Sequence, residues 1–350
     1  MPKLEMHSVP SGSEVFGWTV PKEWHCEDAY IVTPSGEKIC KFSHSNLHVV
    51  GYSTPVDTAM PLEELNAHLH SLPSVPEAIP YATSYYKETW GFCLSEHQRK
   101  ILPKGNYRAV IKSKLYDGLL NWAEFALPGD TEAEVLFSTN ICHPSMFDNE
   151  LSGIVVVTEL AKRIAARPAR RYSYRFLFIP ETIGSIVYKH LAARGERPVP
   201  IVGCAVYCVG RVGAPHIVMA TTFDCRANRA AQSVGAKMLD WYTWRASDER
   251  QFCHLPESWP VCGFTMNPPG NWPGYHTSLD NMDVASEQTL YASVDWLESW
   301  ALAVERAEYR APEFPCEPQL SRRGLYRTLS TVAAVDMSAL NAYAIGNGLG

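Results

Sequence analysis

His143 and Asp148 stand five positions apart in CHPSMFDNELSG, and His276 lies far downstream in the Pro/Gly-rich stretch WPGYHTSLDN. Two imidazoles and a carboxylate drawn from separate loops are the donor types a divalent ion such as zinc takes, so these three form a candidate metal set. With twelve histidines in the chain, spacing alone also allows any one of them to be an ordinary hydrogen-bonded residue. Glu181 follows the apolar run YRFLFIP, where a strand must give way to a turn and a helix. A carboxylate there overhangs a cleft, as a general base requires, and equally complements the dipole of the following helix. SDERQF sets Asp248, Glu249 and Arg250 side by side, a candidate grip for a charged substrate end or an ordinary solvated helix start. Cys142 adjoins His143, but neighbours on an extended chain point to opposite faces, which argues against a thiol–imidazole nucleophile pair and leaves the cysteine structural.

The elements that must position these residues are legible. AEVLFSTN is an apolar strand running into the His143 loop, and a helix apolar on one side follows Ser152-Gly153 until Pro168 stops it. YSYRFLFIP is a second strand, followed by a turn and the helix IVYKHLAAR, and IVGCAVYCVG is a third strand. This alternation predicts an α/β fold, a mostly parallel sheet flanked by helices, with functional loops 140–152, 180–185 and 209–213 at the carboxyl ends of the strands. The earlier part differs: AYIVTP-SGEK-ICKF and YRAVIKSKL are short alternating segments broken by Pro and Gly. The expected division is therefore residues 1–34 and 121–315 for the α/β domain, 35–120 for a smaller β-rich inserted domain, and 316–350 for a polar tail with a short apolar helix at 337–345.

The 350 residues are 46% hydrophobic and 19% charged, the profile of a compact protein with room for more than one core. A net charge of −6 and the lack of a long basic run argue against nucleic acid as a partner. Ten scattered cysteines without CxxC pairs point to reduced thiols, and the start lacks the apolar stretch of a signal peptide. No window reaches the ~18 consecutive apolar residues that a membrane span needs. A cytoplasmic protein is the expectation.

Over nearly its whole length the chain resembles the aminopeptidase-like proteins of the M28 zinc-peptidase clan that carry an inserted β domain, the DUF4910/DUF2172 group. The matching segments are FGWTVPKEW, SNLHVVGYS, IPYATSYYKETWGFCLS, CHPSMFDNELSG, YRFLFIPETIGS, SDERQFC, YHTSLDN and CEPQLSRRGLY, in that order. The resemblance implies metal-assisted amide hydrolysis at a zinc pair, with His143 and His276 as ligands and Glu181 as general base. It implies a homodimer, and the winged-helix module that usually ends the family's chains is expected to be lacking here, since this sequence stops where it would begin. It also places Tyr85, Tyr86 and Trp90 near the cleft as a substrate wall, though aromatics pack equally well between domains. Tyr275 is a hydrogen-bond donor to a tetrahedral intermediate or a packing residue, and Asp280 a partner for His276 or a helix cap.

The departures from that pattern carry information. Against the CHPS-x-x-NDNLSG of related chains, Asn149 stands where the bridging Asp belongs and Glu150 where the next Asn belongs. Thr182 occupies the place of a metal-binding Glu of the wider clan, as it already does in this subgroup, and Arg211 replaces the Asp of CVGD. A cation there repels a metal, and two histidines alone hold none tightly. No cofactor is therefore expected, with zinc open only if Asp148 or Glu150 substitutes. Three readings follow. In the first, an enzyme without the zinc pair acts on an amide, ester or acyl bond of a small amino-acid-like or peptide-like substrate in a biosynthetic pathway, with Glu181 as acid/base and Arg211 as fixed cation. The second is a catalytically inactive binding or partner subunit, paired in a heteromer with an intact homologue. The third is a zinc aminopeptidase using Asp148.

Overall fold

The computed structural model describes residues 2–85, 87–220, 225–255 and 257–307. Eight strands form one sheet in the order Glu5–Pro10, Leu119–Leu127, Tyr172–Ile179, Thr131–Asn140, Val202–Val206, Val261–Thr265, His216–Val218, Lys237–Leu239. The three strands that lead into the candidate loops, Tyr172–Ile179, Thr131–Asn140 and Val202–Val206, lie side by side and parallel. Their apolar runs are buried on both faces, as a helix-flanked parallel sheet requires. On one face, helices Ser152–Ala165, Arg226–Ser233 and Glu287–Arg306 close a core around Phe137, Phe176, Leu160 and Trp300. On the other, helix Ile183–Ala193 covers Leu136, Leu177, Ala205 and Tyr207. The fold is thus the α/β architecture the alternation of elements predicted.

A second, antiparallel sheet takes the order Lys38–Ile39, Glu23–Val32, Asn106–Tyr116, Val56–Pro61 and has its own core around Ile31, Leu65, Phe92 and Tyr107. It starts earlier than residue 35: Glu23–Val32 pairs along Asn106–Tyr116 rather than joining the large sheet. The large sheet in turn resumes at Leu119. The β-rich unit touches the α/β unit where Pro80 bridges Thr277, with Tyr81 N donating to His276 O at 2.8 Å and Ser278 N to Ile79 O at 2.9 Å. No helix among the described residues is long and apolar enough to cross a membrane. The tail expected at 316–350, with its helix at 337–345, lies outside the described residues.

Candidate active site

Three strand ends deliver the site. After Asn140 the chain leaves the sheet, so Cys142 and His143 no longer alternate as strand neighbours, and Sγ of Cys142 comes within 3.5 Å of His143 Nδ1. Burial and the Glu150 carboxylate push that thiol well up, so the contact does not yield a thiolate nucleophile. Glu150 lies in the turn Phe147–Leu151 that precedes helix Ser152–Ala165. One of its oxygens accepts the Cys142 backbone N–H; the other lies 3.0 Å from His143 Nδ1. The far nitrogen of the ring, Nε2, stands 3.7 Å from Glu181 Oε2.

The turn is held by Asp280, whose carboxylate accepts the N–H groups of Asp148 at 2.6 Å and Asn149 at 3.0 Å. Asp280 therefore serves neither His276 nor a helix at 280–284: it caps the opposite loop. Ser152 Oγ donates to Asp148 O and accepts from Val209 N, fastening the turn to the third strand end. The next position is crowded for any residue but glycine. A Cβ at Gly153 would lie 2.2 Å from Thr139 Oγ1 and 3.0 Å from Val206 O.

Glu181 is half-buried at the end of strand Tyr172–Ile179, and its N–H donates to Cys142 Sγ at 3.2 Å. Thr182 follows with φ 65°, a costly backbone for a β-branched residue. Asp248 supports it: Oδ1 accepts from Thr182 N at 2.8 Å and from Ser185 Oγ at 2.7 Å, while Arg250 Nη2 donates to Thr182 Oγ1 at 2.7 Å. Asp248 and Glu249 are 1% and 0% exposed, which corrects their expected role as an open grip for a charged substrate. Glu249 turns back to accept the N–H groups of Ala246 and Ser247. Desolvation and the field of Glu181 raise the Asp248 carboxyl to about 7, and desolvation raises Glu249.

His143 and His276 face one another with ring centroids 5.1 Å apart, and their environments differ. Burial opposes the charge on His143, but the hydrogen bond to Glu150 and the fields of Glu181, Glu150 and Asp248 outweigh it, so its pKa is raised. Burial and the neighbouring His143 lower His276 to about 4. One imidazole is thus favoured as the cation and the other as the neutral base. Tyr275 stacks on His276 at 4.0 Å, and Tyr81 from the β-rich unit lies 5.4 Å from both imidazoles.

Arg211 sits at the third strand end. Its Nη2 donates to Asn267 Oδ1 at 2.7 Å, its guanidinium covers the Trp272 ring at 4.6 Å, and its Nε is 4.0 Å from Asp148 Oδ2. Asp148 itself is 1% exposed, with Oδ1 accepting the backbone N–H groups of Gly210 and Arg211. Trp90 is not a cleft wall: it stacks on His68 at 3.6 Å and packs against the core of the β-rich unit. Tyr85 is 49% exposed near Tyr81, while Tyr86 lies outside the described residues. Sequence reasoning missed Tyr81, which sits in the same quoted aromatic motif; only the Pro80–Thr277 bridge distinguishes it from its neighbours.

The sequence profile of the family described as a domain of unknown function (DUF4910) matches residues 1–307. The chain belongs to the DUF4910 family. A Clostridium acetobutylicum protein named as a polysaccharide biosynthesis protein with an aminopeptidase-like domain is 40% identical over 335 residues, 93% of this chain and 76% of that protein. A crystal structure from the same organism, described as a peptidase, aligns with TM-score 0.82 and 37% identity over 92% of this chain and 77% of the other. BSAP, a zinc aminopeptidase from Bacillus subtilis, shares the fold at TM-score 0.61 and 13% identity, covering 88% and 86% of the two chains. The M28 resemblance of the DUF4910 chain thus holds at the level of fold.

Several donor positions for the zinc pair that such a fold implies are changed or engaged in this DUF4910 chain, while Asp148 Oδ2 and His276 Nε2 are buried without a hydrogen-bond partner. Asn149 offers an amide, with Oδ1 accepting from Cys208 Sγ and Nδ2 buried without a partner. Thr182 Oγ1 is taken by Arg250, and Asp148 faces Arg211. Cys142, His143 and Glu150 bring potential ligand atoms within 4.8 Å of one another, but both Glu150 oxygens are spent on Cys142 N and His143 Nδ1. Glu5, His7 and Glu124 form the other such group among the described residues, and there Arg175 and Arg197 lie against Glu124 at 3.3 Å. A divalent ion needs several uncommitted donors and no cation beside them.

Proposed function

We propose that this DUF4910 chain is an enzyme that cleaves an amide, ester or acyl bond of a small amino-acid-like substrate without a zinc pair, using Glu181 as general acid/base. The observation that carries this reading is the line Glu150–His143–Glu181, with 3.0 Å between the first two and 3.7 Å between the last two. Glu181 takes a proton from water as its oxygen adds to the acyl carbon, and returns it to the leaving nitrogen or oxygen as the bond breaks. His143, held by Glu150, places a cationic N–H beside the developing oxyanion, the electrostatic part of the work. Arg211, fixed by Asn267, Trp272 and Asp148, supplies a second positive charge at the rim. The name of the Clostridium relative supports a biosynthetic setting. The test is product release by the full chain from a panel of amino-acid amides, esters and N-acyl amino acids, followed by mass spectrometry. Glu181→Gln should lower turnover by about 100-fold or more; turnover equal to wild type would discard the reading.

A further inference from the structure

Beyond Tyr81 the β-rich unit presents a line of rings that leads away from the reaction centre. Trp24 stacks on Tyr52 with centroids 6.3 Å apart, Tyr52 meets Tyr85 at 5.5 Å, and Tyr85 hydrogen-bonds with Tyr81, which contacts both histidines. Tyr52 and Tyr85 both adopt positive φ, 67° and 44°, a backbone that is sterically costly for a bulky L-residue. Among the described residues eight non-glycines have positive φ, and Tyr52, Tyr85, Ser145, Thr182, Cys208 and His276 all belong to the cleft loops or this line. Strain that gathers in this way points to function rather than to packing.

The two tyrosine loops are bound to one another. Gly51 N donates to Ala82 O at 2.8 Å, Ser84 N donates to Gly51 O at 3.0 Å, and Thr54 N donates to Thr89 O at 2.9 Å. The rings are therefore set in place before any ligand arrives, which limits the ordering cost of binding. Tyr85 is 49% exposed. A row of amphipathic rings, apolar on the face and hydroxylated at the edge, complements a ligand with a flat C–H face and a polar perimeter.

We infer that the line Tyr52–Tyr85–Tyr81 is a sugar subsite, seating the pyranose ring of an acylamino sugar with its acylamino group directed at Glu181. The assignment rests on the reading of Glu181 as acting on an acyl bond, and narrows the substrate of that site from an amino-acid-like compound to an N-acylated amino sugar.

The experiment is ligand-observed saturation-transfer NMR on the full chain with N-acetylglucosamine and, separately, phenylalaninamide. N-acetylglucosamine should receive saturation mainly at its ring C–H protons. Tyr85→Ala should weaken its binding about tenfold, the scale of one lost stacking contact. Tyr85→Phe, which keeps the ring, should restore it, and Glu181→Gln should bind as wild type does. Sugar binding with no effect of Tyr85→Ala, or phenylalaninamide binding in place of the sugar, would overturn the subsite. Because binding is read with Glu181→Gln as well, loss of the subsite is distinguishable from failure of Glu181 as acid/base, which shows only in turnover.

Discussion

Glu150 holds His143 through Nδ1 at 3.0 Å, and both side chains are buried. This pairing fixes the ring so that Nε2 faces Glu181. It also engages one ring nitrogen and both oxygens of the carboxylate. A carboxylate so placed favours the charged imidazole, while His276, five ångströms away by ring centroid at 5.1 Å, is left neutral.

Glu150→Gln removes the charge and keeps the shape. The His143 pKa should fall, since the hydrogen bond and the charge of Glu150 are among the causes that raise it. Titration of the imidazole C–H resonances measures it. His276 should titrate with a midpoint near pH 4 in the wild-type protein, and a His276 midpoint near 6.5 would contradict the described environment.

Asp248 makes stability depend on pH. Its folded pKa of about 7 stands above the ordinary 3.8, so the folded state holds a proton that the unfolded chain has released between those values. Stability contributed in this way is fully present at low pH and is lost as pH rises from about 4 to about 7. Asp248→Asn keeps an oxygen to accept from Thr182 N and Ser185 Oγ and cannot ionise. Its melting temperature, compared with wild type at pH 5 and pH 8, should gain at pH 8. A gain only at pH 5 would reverse the sign and refute the account of this residue.

Gly153→Ala should destabilise the protein by about 1–3 kcal/mol, the usual cost of forcing a group into filled space. The intruding Cβ meets Thr139 Oγ1 at 2.2 Å and Val206 O at 3.0 Å. Adding Thr139→Ala should recover part of that loss, because only the hydroxyl contact is relieved. Urea denaturation of the single and double variants checks this, and full stability of the single variant would mean that helix Ser152–Ala165 does not approach the strand ends as described.

The large sheet was legible because its strands are continuous apolar runs separated by one-sided helices, and Glu181 was legible because a carboxylate after Pro180 must sit at a strand end. The start of the small sheet was not: Glu23–Val32 finds its partner about eighty residues later in Asn106–Tyr116, a pairing that no local pattern encodes. The burial of Asp248 and Glu249 was hidden for a similar reason. SDERQF reads as a solvated turn until helix Ile183–Ala193 and the N–H groups of Thr182, Ala246 and Ser247 are brought against it. Tyr81 enters the site only through the meeting of separate loops, so its spacing gave no signal, whereas Glu150 stood in the His143 motif and Asn149, Thr182 and Arg211 were readable because each changes the chemistry of a donor.

The central claim, that a proton-holding line of side chains stands where a zinc pair would sit, is tested most directly by metal content. The full chain is loaded with excess zinc, dialysed against metal-free buffer and analysed for bound metal per chain. The account predicts well under about 0.2 zinc per chain, since Arg211 lies beside Asp148 and both Glu150 oxygens are engaged. About one or two zinc ions retained per chain would contradict it, and would require Glu150 or Asp148 to leave its present partners and bind metal.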